Sequence, residues 1–181
     1  MTIKKMNLEI KFLSEIDTSD YRELRLQSYK EAPLAFSESY EDEKDKSLNE
    51  FKDELVVIGT PPEWFLLGAF LPNEGLIGFV KFRRDLRSKA RHKSMIHAMY
   101  TNSKYRNHGV GKKLIQSLLK ATKLIVGLEQ IHLWVLHSEV SAANFYIKCG
   151  FISQGTLVKK DLKVGDTYVD AEYMVMYLNN L

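Results

Sequence analysis

The chain carries a single cysteine, Cys149, which excludes an intrachain disulfide and any multi-cysteine zinc centre and fits a reducing compartment. No apolar run approaches the roughly 18 residues that a membrane-spanning helix needs. The amino-terminal stretch MTIKKMNLEIKFL breaks its short apolar runs at Asn7, Glu9 and Lys11, unlike the continuous core of a signal peptide. An excess of one charge is lacking too: 26 Lys and Arg against 23 Asp and Glu give a net charge of +3, too balanced to argue for nucleic acid or a lipid surface. Internal repeats and low-complexity linkers are absent. These absences lead us to expect a cytoplasmic protein with no metal, nucleic acid or membrane partner.

What is present is ordinary globular material. A length of 181 residues, 45% hydrophobic and 27% charged, suits one domain over 1–181 with a substantial core. Leu8, Ile10 and Phe12 alternate with polar residues and predict a half-buried first strand. Tyr21, Leu24, Arg25, Ser28 and Tyr29 carry a helix that stops at Ala32-Pro33, where proline disfavours continuation. An acidic connection, Phe36 to Asp45, leads to a second helix capped by Ser47. WFLLGAF (64–70) and LIGFVKF (76–82), joined by a turn at 71–75, predict an antiparallel hairpin. The basic stretch Arg83 to Lys93 reads as a solvated loop, with anion binding as the sharper alternative. Strands at 131–136 and across 151–178, folded back at 163–166, and a short helix at 141–148 complete the chain. The order predicts a mixed α/β sheet flanked by helices.

The most informative stretch is IHAMYTNSKYRNHGVGKKLIQSLL (96–119). An apolar strand ends in a polar turn with two glycines, and Leu114, Ile115, Leu118 and Leu119 then follow at helical spacing. Glycines at such a junction let a ligand approach the backbone. The unpaired first-turn amides and the helix dipole favour a phosphate there, although two glycines before a helix are often plain turn chemistry. GxxxxGK[ST] and GxGxxG both fail against Gly109 and Gly111. What remains is Arg-x-x-Gly-x-Gly.

That motif resembles the [QR]-x-x-G-x-[GA] acyl-CoA signature of the GCN5-related N-acetyltransferase (GNAT) superfamily. VLHSEVSAANFYIKCGF (135–151), with Ala142-x-x-Phe145-Tyr146 and Gly150-Phe151, is similar to its second signature. The resemblance implies a mostly antiparallel, twisted GNAT-like acyl-CoA N-acyltransferase sheet, splayed between the strands ending near Tyr100 and Leu136. It implies acetyl-CoA as co-substrate, with Met99, Tyr100 and Thr101 offering a strand edge to pantetheine. Arg106, Asn107, His108, Gly109, Val110, Gly111 and Lys112 would surround the pyrophosphate. Within that run His108 also reads simply as a solvent-facing loop residue. The resemblance further makes Tyr146 the general acid that protonates the leaving thiolate; the plain alternative is a packed tyrosine. Many relatives carry asparagine where this chain has Glu139, so that pantetheine contact is not carried over.

An attacking amine must lose a proton, and the strand MIHAMYT has no carboxylate. His97 is the candidate base, equally readable as a packed histidine; alternation would put Met95, His97 and Met99 on one face. The acceptor would be a small-molecule or peptide amine attacking directly, with the acidic connection and last hairpin as candidate specificity elements. A homodimer stays open. The competing reading is a non-catalytic acyl-CoA-binding module.

Overall fold

The computed structural model describes residues 7–178. Seven strands form one sheet in the order β1-β2-β3-β4-β5-β7-β6. They are β1 (Glu9–Phe12), β2 (Trp64–Leu71), β3 (Gly75–Arg84), β4 (Lys93–Thr101), β5 (Gln130–Leu136), β6 (Ile152–Val164) and β7 (Thr167–Tyr177). Helices are α1 (Thr18–Glu31), α2 (Tyr40–Glu43), α3 (Leu48–Glu54), α4 (Val110–Thr122) and α5 (Val140–Lys148). Every strand pair is antiparallel except β4–β5. The expected hairpins, strands and main helices are all present. The acidic connection adds one turn, α2, whose N-cap Ser39 accepts from the Asp42 amide.

The core lies on both faces of β2 and β3, which explains why those strands read as continuous apolar runs. Phe65, Leu67, Val80 and Phe82 meet Val110, Leu114, Ile115 and Leu118 of α4. On the other face Leu66, Phe79, Ala98 and Tyr100 meet Tyr21, Leu24, Tyr29 and Phe51 of α1 and α3. Truncating a fully buried residue such as Leu118 to alanine would cost about 2–5 kcal/mol.

Two features of β4 position the site. Its parallel pairing with β5 runs only through Lys93–Gln130, Ser94–Ile131 and Met95–His132, after which the strands part. Where they part, backbone groups on the facing edges lose their strand partners. On the other side, pairing with β3 passes from Lys81–Ala98 to Phe82–Ile96 and skips His97, a β-bulge. The bulge corrects the expectation from simple alternation. Met95 pairs with Arg83 and Met99 with Val80, positions on opposite faces of β3, so Met95, His97 and Met99 do not share one face.

The basic stretch also differs from a solvated loop. Arg83 and Arg84 belong to β3 and Lys93 opens β4. Arg84 is buried: its Nε donates to the Arg91 carbonyl at 2.6 Å, its Nη2 to the Val126 carbonyl at 2.9 Å, and it pairs with Glu63.

Candidate active site

The parted strands open into a cleft with two connected halves. One half, about 460 Å³, is lined by Met99, Tyr100 and Thr101 of β4, by the loop into α4, and by Ala142, Phe145 and Tyr146 of α5. The other, about 340 Å³, is bounded by Ile96 to Met99, by Leu133 to Leu136, and by Phe36, Glu38 and Asp161. Ala35, Phe36, Met99, Glu139, Ala142 and Tyr146 line both.

In the first half, Arg106, Asn107, Gly109, Val110, Gly111 and Lys112 all line the cleft, but His108 does not. His108 Nδ1 lies 2.7 Å from the Arg106 carbonyl, so it carries the proton and donates within the loop. The loop is shaped by two left-handed residues, Asn107 (φ 62°) and Gly109 (φ 75°), the second serving as N-cap of α4. They turn the chain so that the Val110, Gly111 and Lys112 amides, which lack acceptors inside the helix, stand at its positive end. No acidic residue occupies that first turn. Such a donor set fits a pyrophosphate. Gly111 has a packing reason besides: a Cβ there would lie 3.2 Å from both Met99 Cε and Phe145 Cζ, so glycine allows α4 to seat close to β4 and α5.

Arg106 turns back toward the strand. Its Nε donates to the Thr101 carbonyl at 3.1 Å and its Nη2 lies 3.7 Å from Glu31. Glu31, at the end of α1, also accepts from Tyr100 Oη at 2.6 Å and from the Ser103 amide at 3.3 Å. Burial pushes its pKa up, but the hydrogen bonds from Tyr100, Gln27 and Ser103 outweigh this and leave the carboxyl below its ordinary value. The Tyr100 phenol is raised by burial and by that carboxylate. Tyr100 of β4 is therefore a structural donor. The role of Glu31 at the strand gives no signal in the sequence, because Tyr100 and Ser103 lie about 70 residues away.

Tyr146 is half-buried, edge-on to Phe145 at 5.2 Å and to Phe151 at 5.5 Å between ring centroids. Burial, with a smaller contribution from Cys149, raises its phenol well above the ordinary value, so it stays protonated at neutral pH. Cys149 is half-buried and its thiol is also raised by burial, the opposite of an activated nucleophile.

His97 lines the second half together with Tyr146. Burial lowers its pKa, and the positive charges of Lys81 and Arg83 lower it further, so the imidazole is neutral at pH 7. His132 hydrogen-bonds Gln130 at 3.0 Å and Tyr173, and burial drops its pKa to about 4.

The acidic connection is mostly engaged locally: Glu41 pairs with Lys44, Glu43 with Lys46, and Asp42 caps α2. Glu38 faces the cleft, 3.5 Å from Arg25, whose guanidinium is buried against Tyr29 and Phe36 at 4.4 Å from each ring centroid. The last hairpin contributes Asp161 through a second irregularity. Pairing of β6 with β7 jumps between Val158 and Leu162, Lys160 takes φ 57°, and Asp170 holds the protrusion through the Lys160 amide (2.9 Å) and Lys159 Nζ (2.8 Å). Tyr168, Asp170 and Glu172 of the last hairpin do not line the cleft, whereas Glu139 does. Among the described residues no His, Cys, Asp and Glu cluster could hold a metal, and no helix is long and apolar enough to cross a membrane.

Residues 18–151 match the model of the acetyltransferase (GNAT) family. Among curated proteins a sequence search finds no match. Solved structures share the fold at low identity. An acetyltransferase of the GNAT family from Streptococcus pneumoniae is 18% identical with a TM-score of 0.78, over 94% of this chain and 99% of that one. An N-acetyltransferase from Staphylococcus aureus Mu50 is 14% identical with a TM-score of 0.75, over 95% and 99%. The yncA protein of Salmonella typhimurium, solved with its cofactor acetyl-CoA, is 15% identical with a TM-score of 0.76, over 95% and 94%.

Proposed function

The chain belongs to the acetyltransferase (GNAT) family and is an acyltransferase, and from that premise we propose that it moves the acetyl group of acetyl-CoA directly to a primary amine. The observation that carries this reading is the parting of β4 from β5 after Met95 and His132, with the α4 loop and Tyr146 on one cavity and His97 with Tyr146 on the next. Acetyl-CoA brings an acyl group already activated as a thioester. The Val110, Gly111 and Lys112 amides hold its pyrophosphate, and the free edge of β4 pairs with the pantetheine amides.

Tyr146 donates its phenolic proton to the departing sulfur, a role suited to a group that stays protonated. His97, neutral at pH 7, takes the proton from the attacking amine, directly or through water. Burial holds the Cys149 thiol protonated, which favours direct transfer over a covalent route.

The test is a thiol-release assay with acetyl-CoA across polyamines, amino acids, peptide amino termini and lysine-bearing peptides. Acceptor-dependent release of CoA is the expected result. Tight acetyl-CoA binding with no acceptor-dependent release from any of them would favour a binding module instead.

A further inference from the structure

A third cavity, about 550 Å³, continues the second half of the cleft, sharing Met95 and His97 with it. Its wall is mainly basic: Arg83, Arg84, Arg87 and Lys93, with the carboxylate Asp85 among them, stand around a floor that includes His132 and Tyr173. The cations differ in what they already do. Arg84 is occupied by Glu63 and two carbonyls, and Arg87 is paired with Asp85. Arg83 and Lys93 have no ion-pair partner among the described residues. The Arg83 guanidinium lies over the Trp64 ring, 4.7 Å from its centroid.

The field of these two cations reaches the cavity. After burial, Arg83 is among the causes that lower His97, and Lys93 heads those that lower His132. The half of the cleft nearer Tyr146 has the opposite lining, with Glu38, Glu139 and Asp161. One continuous groove thus has a negative end where the strands part and a positive end beyond His97.

We infer that the acceptor is a two-ended amine whose carboxylate or phosphate is held by Arg83 and Lys93 while its amino group reaches the parting of β4 and β5. This rests on the reading of the site as an amine acetyltransferase. A planar Arg fork beside a Lys point charge suits an oxyanion, and a neutral amine would leave both cations without a partner. The basic stretch between the hairpin and β4 is thereby assigned a use in substrate choice.

The test pairs each anionic amine with its neutral counterpart: L-amino acids with their amides, and O-phosphoethanolamine with ethanolamine. CoA release is followed in the wild type and in the Arg83→Gln/Lys93→Gln double variant. In parallel, calorimetry measures binding of the same probes to CoA-saturated protein, a readout that needs no turnover. The expected result is a KM about tenfold lower for the anionic member of a pair, a preference that collapses in the double variant while acetyl-CoA affinity is kept. Preference for amino acids identifies the carboxylate, and preference for phosphoethanolamine the phosphate. Equal KM and equal binding within every pair, or a preference that survives the double substitution, overturns the inference. Acetylation of neutral amines without anion preference overturns it and leaves the amine acetyltransferase reading standing. Anion binding lost in the double variant but with no release of CoA supports the pocket and overturns that reading instead.

Discussion

Tyr100 Oη donates to Glu31 at 2.6 Å, and through that bond the end of α1 is tied to the strand that opens into the cofactor loop. The same carboxylate accepts from the Ser103 amide and lies 3.7 Å from Arg106, so one side chain braces the strand, the turn and the first residue of the glycine motif.

Replacing Glu31 with glutamine should loosen that brace. A loss of about 1 kcal/mol in urea denaturation at neutral pH is expected, for one charge-assisted hydrogen-bond acceptor at a partly exposed site. The folded pKa of Glu31 lies below its ordinary value, so its contribution is complete above the unfolded pKa. It is lost as pH falls through the depressed folded value. Wild type and Glu31→Gln should therefore converge in stability at strongly acid pH; a gap that persists there would assign the loss to something other than the ionised carboxylate.

Gly109→Asp tests the cofactor loop. Gly109 sits at φ 75°, where a side chain costs about 1–2 kcal/mol, and the new carboxylate would face the end of α4 that is to meet phosphate. The expected outcome is loss of measurable acetyl-CoA binding in calorimetry with an unchanged far-ultraviolet circular dichroism spectrum. Retained affinity would remove the loop from the binding site.

How much of this was legible beforehand follows from how local each feature is. The buried stripe of α4, the glycine junction and Tyr146 are encoded within short windows; the stripe packs into the core, and the junction and Tyr146 meet at one cavity. Alternation failed at His97 because a bulge is a property of two strands in register, and β3 gives no sign of which β4 residue it will skip. Asp161 reaches the cleft only because Asp170 clamps an irregular stretch of β6, and the Glu31 brace joins residues about 70 apart. The Arg83 to Lys93 stretch misled for a further reason. Composition counts charges, whereas burial of Arg84 among Glu63 and two carbonyls decides which charge remains available.

Tyr146→Phe separates chemistry from binding. The ring packs on Phe145 and Phe151, contacts that phenylalanine keeps, so fold and acetyl-CoA affinity should be preserved. Only the proton donor is removed, and kcat should fall about 10²-fold or more. Stopped-flow turnover beside calorimetric affinity reads both. An unchanged kcat would make Tyr146 a packing residue.

His97 is tested by pH. A base must be neutral to accept a proton, and burial together with Lys81 and Arg83 holds the His97 pKa below its ordinary 6.5. For the free enzyme kcat/KM should therefore be level above that pKa and fall as pH drops through it, giving an acid limb whose midpoint lies under 6.5. In His97→Gln the plateau should drop about 10²-fold or more and that limb should disappear. Tyr100 cannot substitute, since its phenol is raised by burial and held by Glu31. An acid limb that survives in His97→Gln would move the base to a carboxylate of the cleft, with Glu38 the first to replace, because it lies on the same cavity and is already positioned by Arg25.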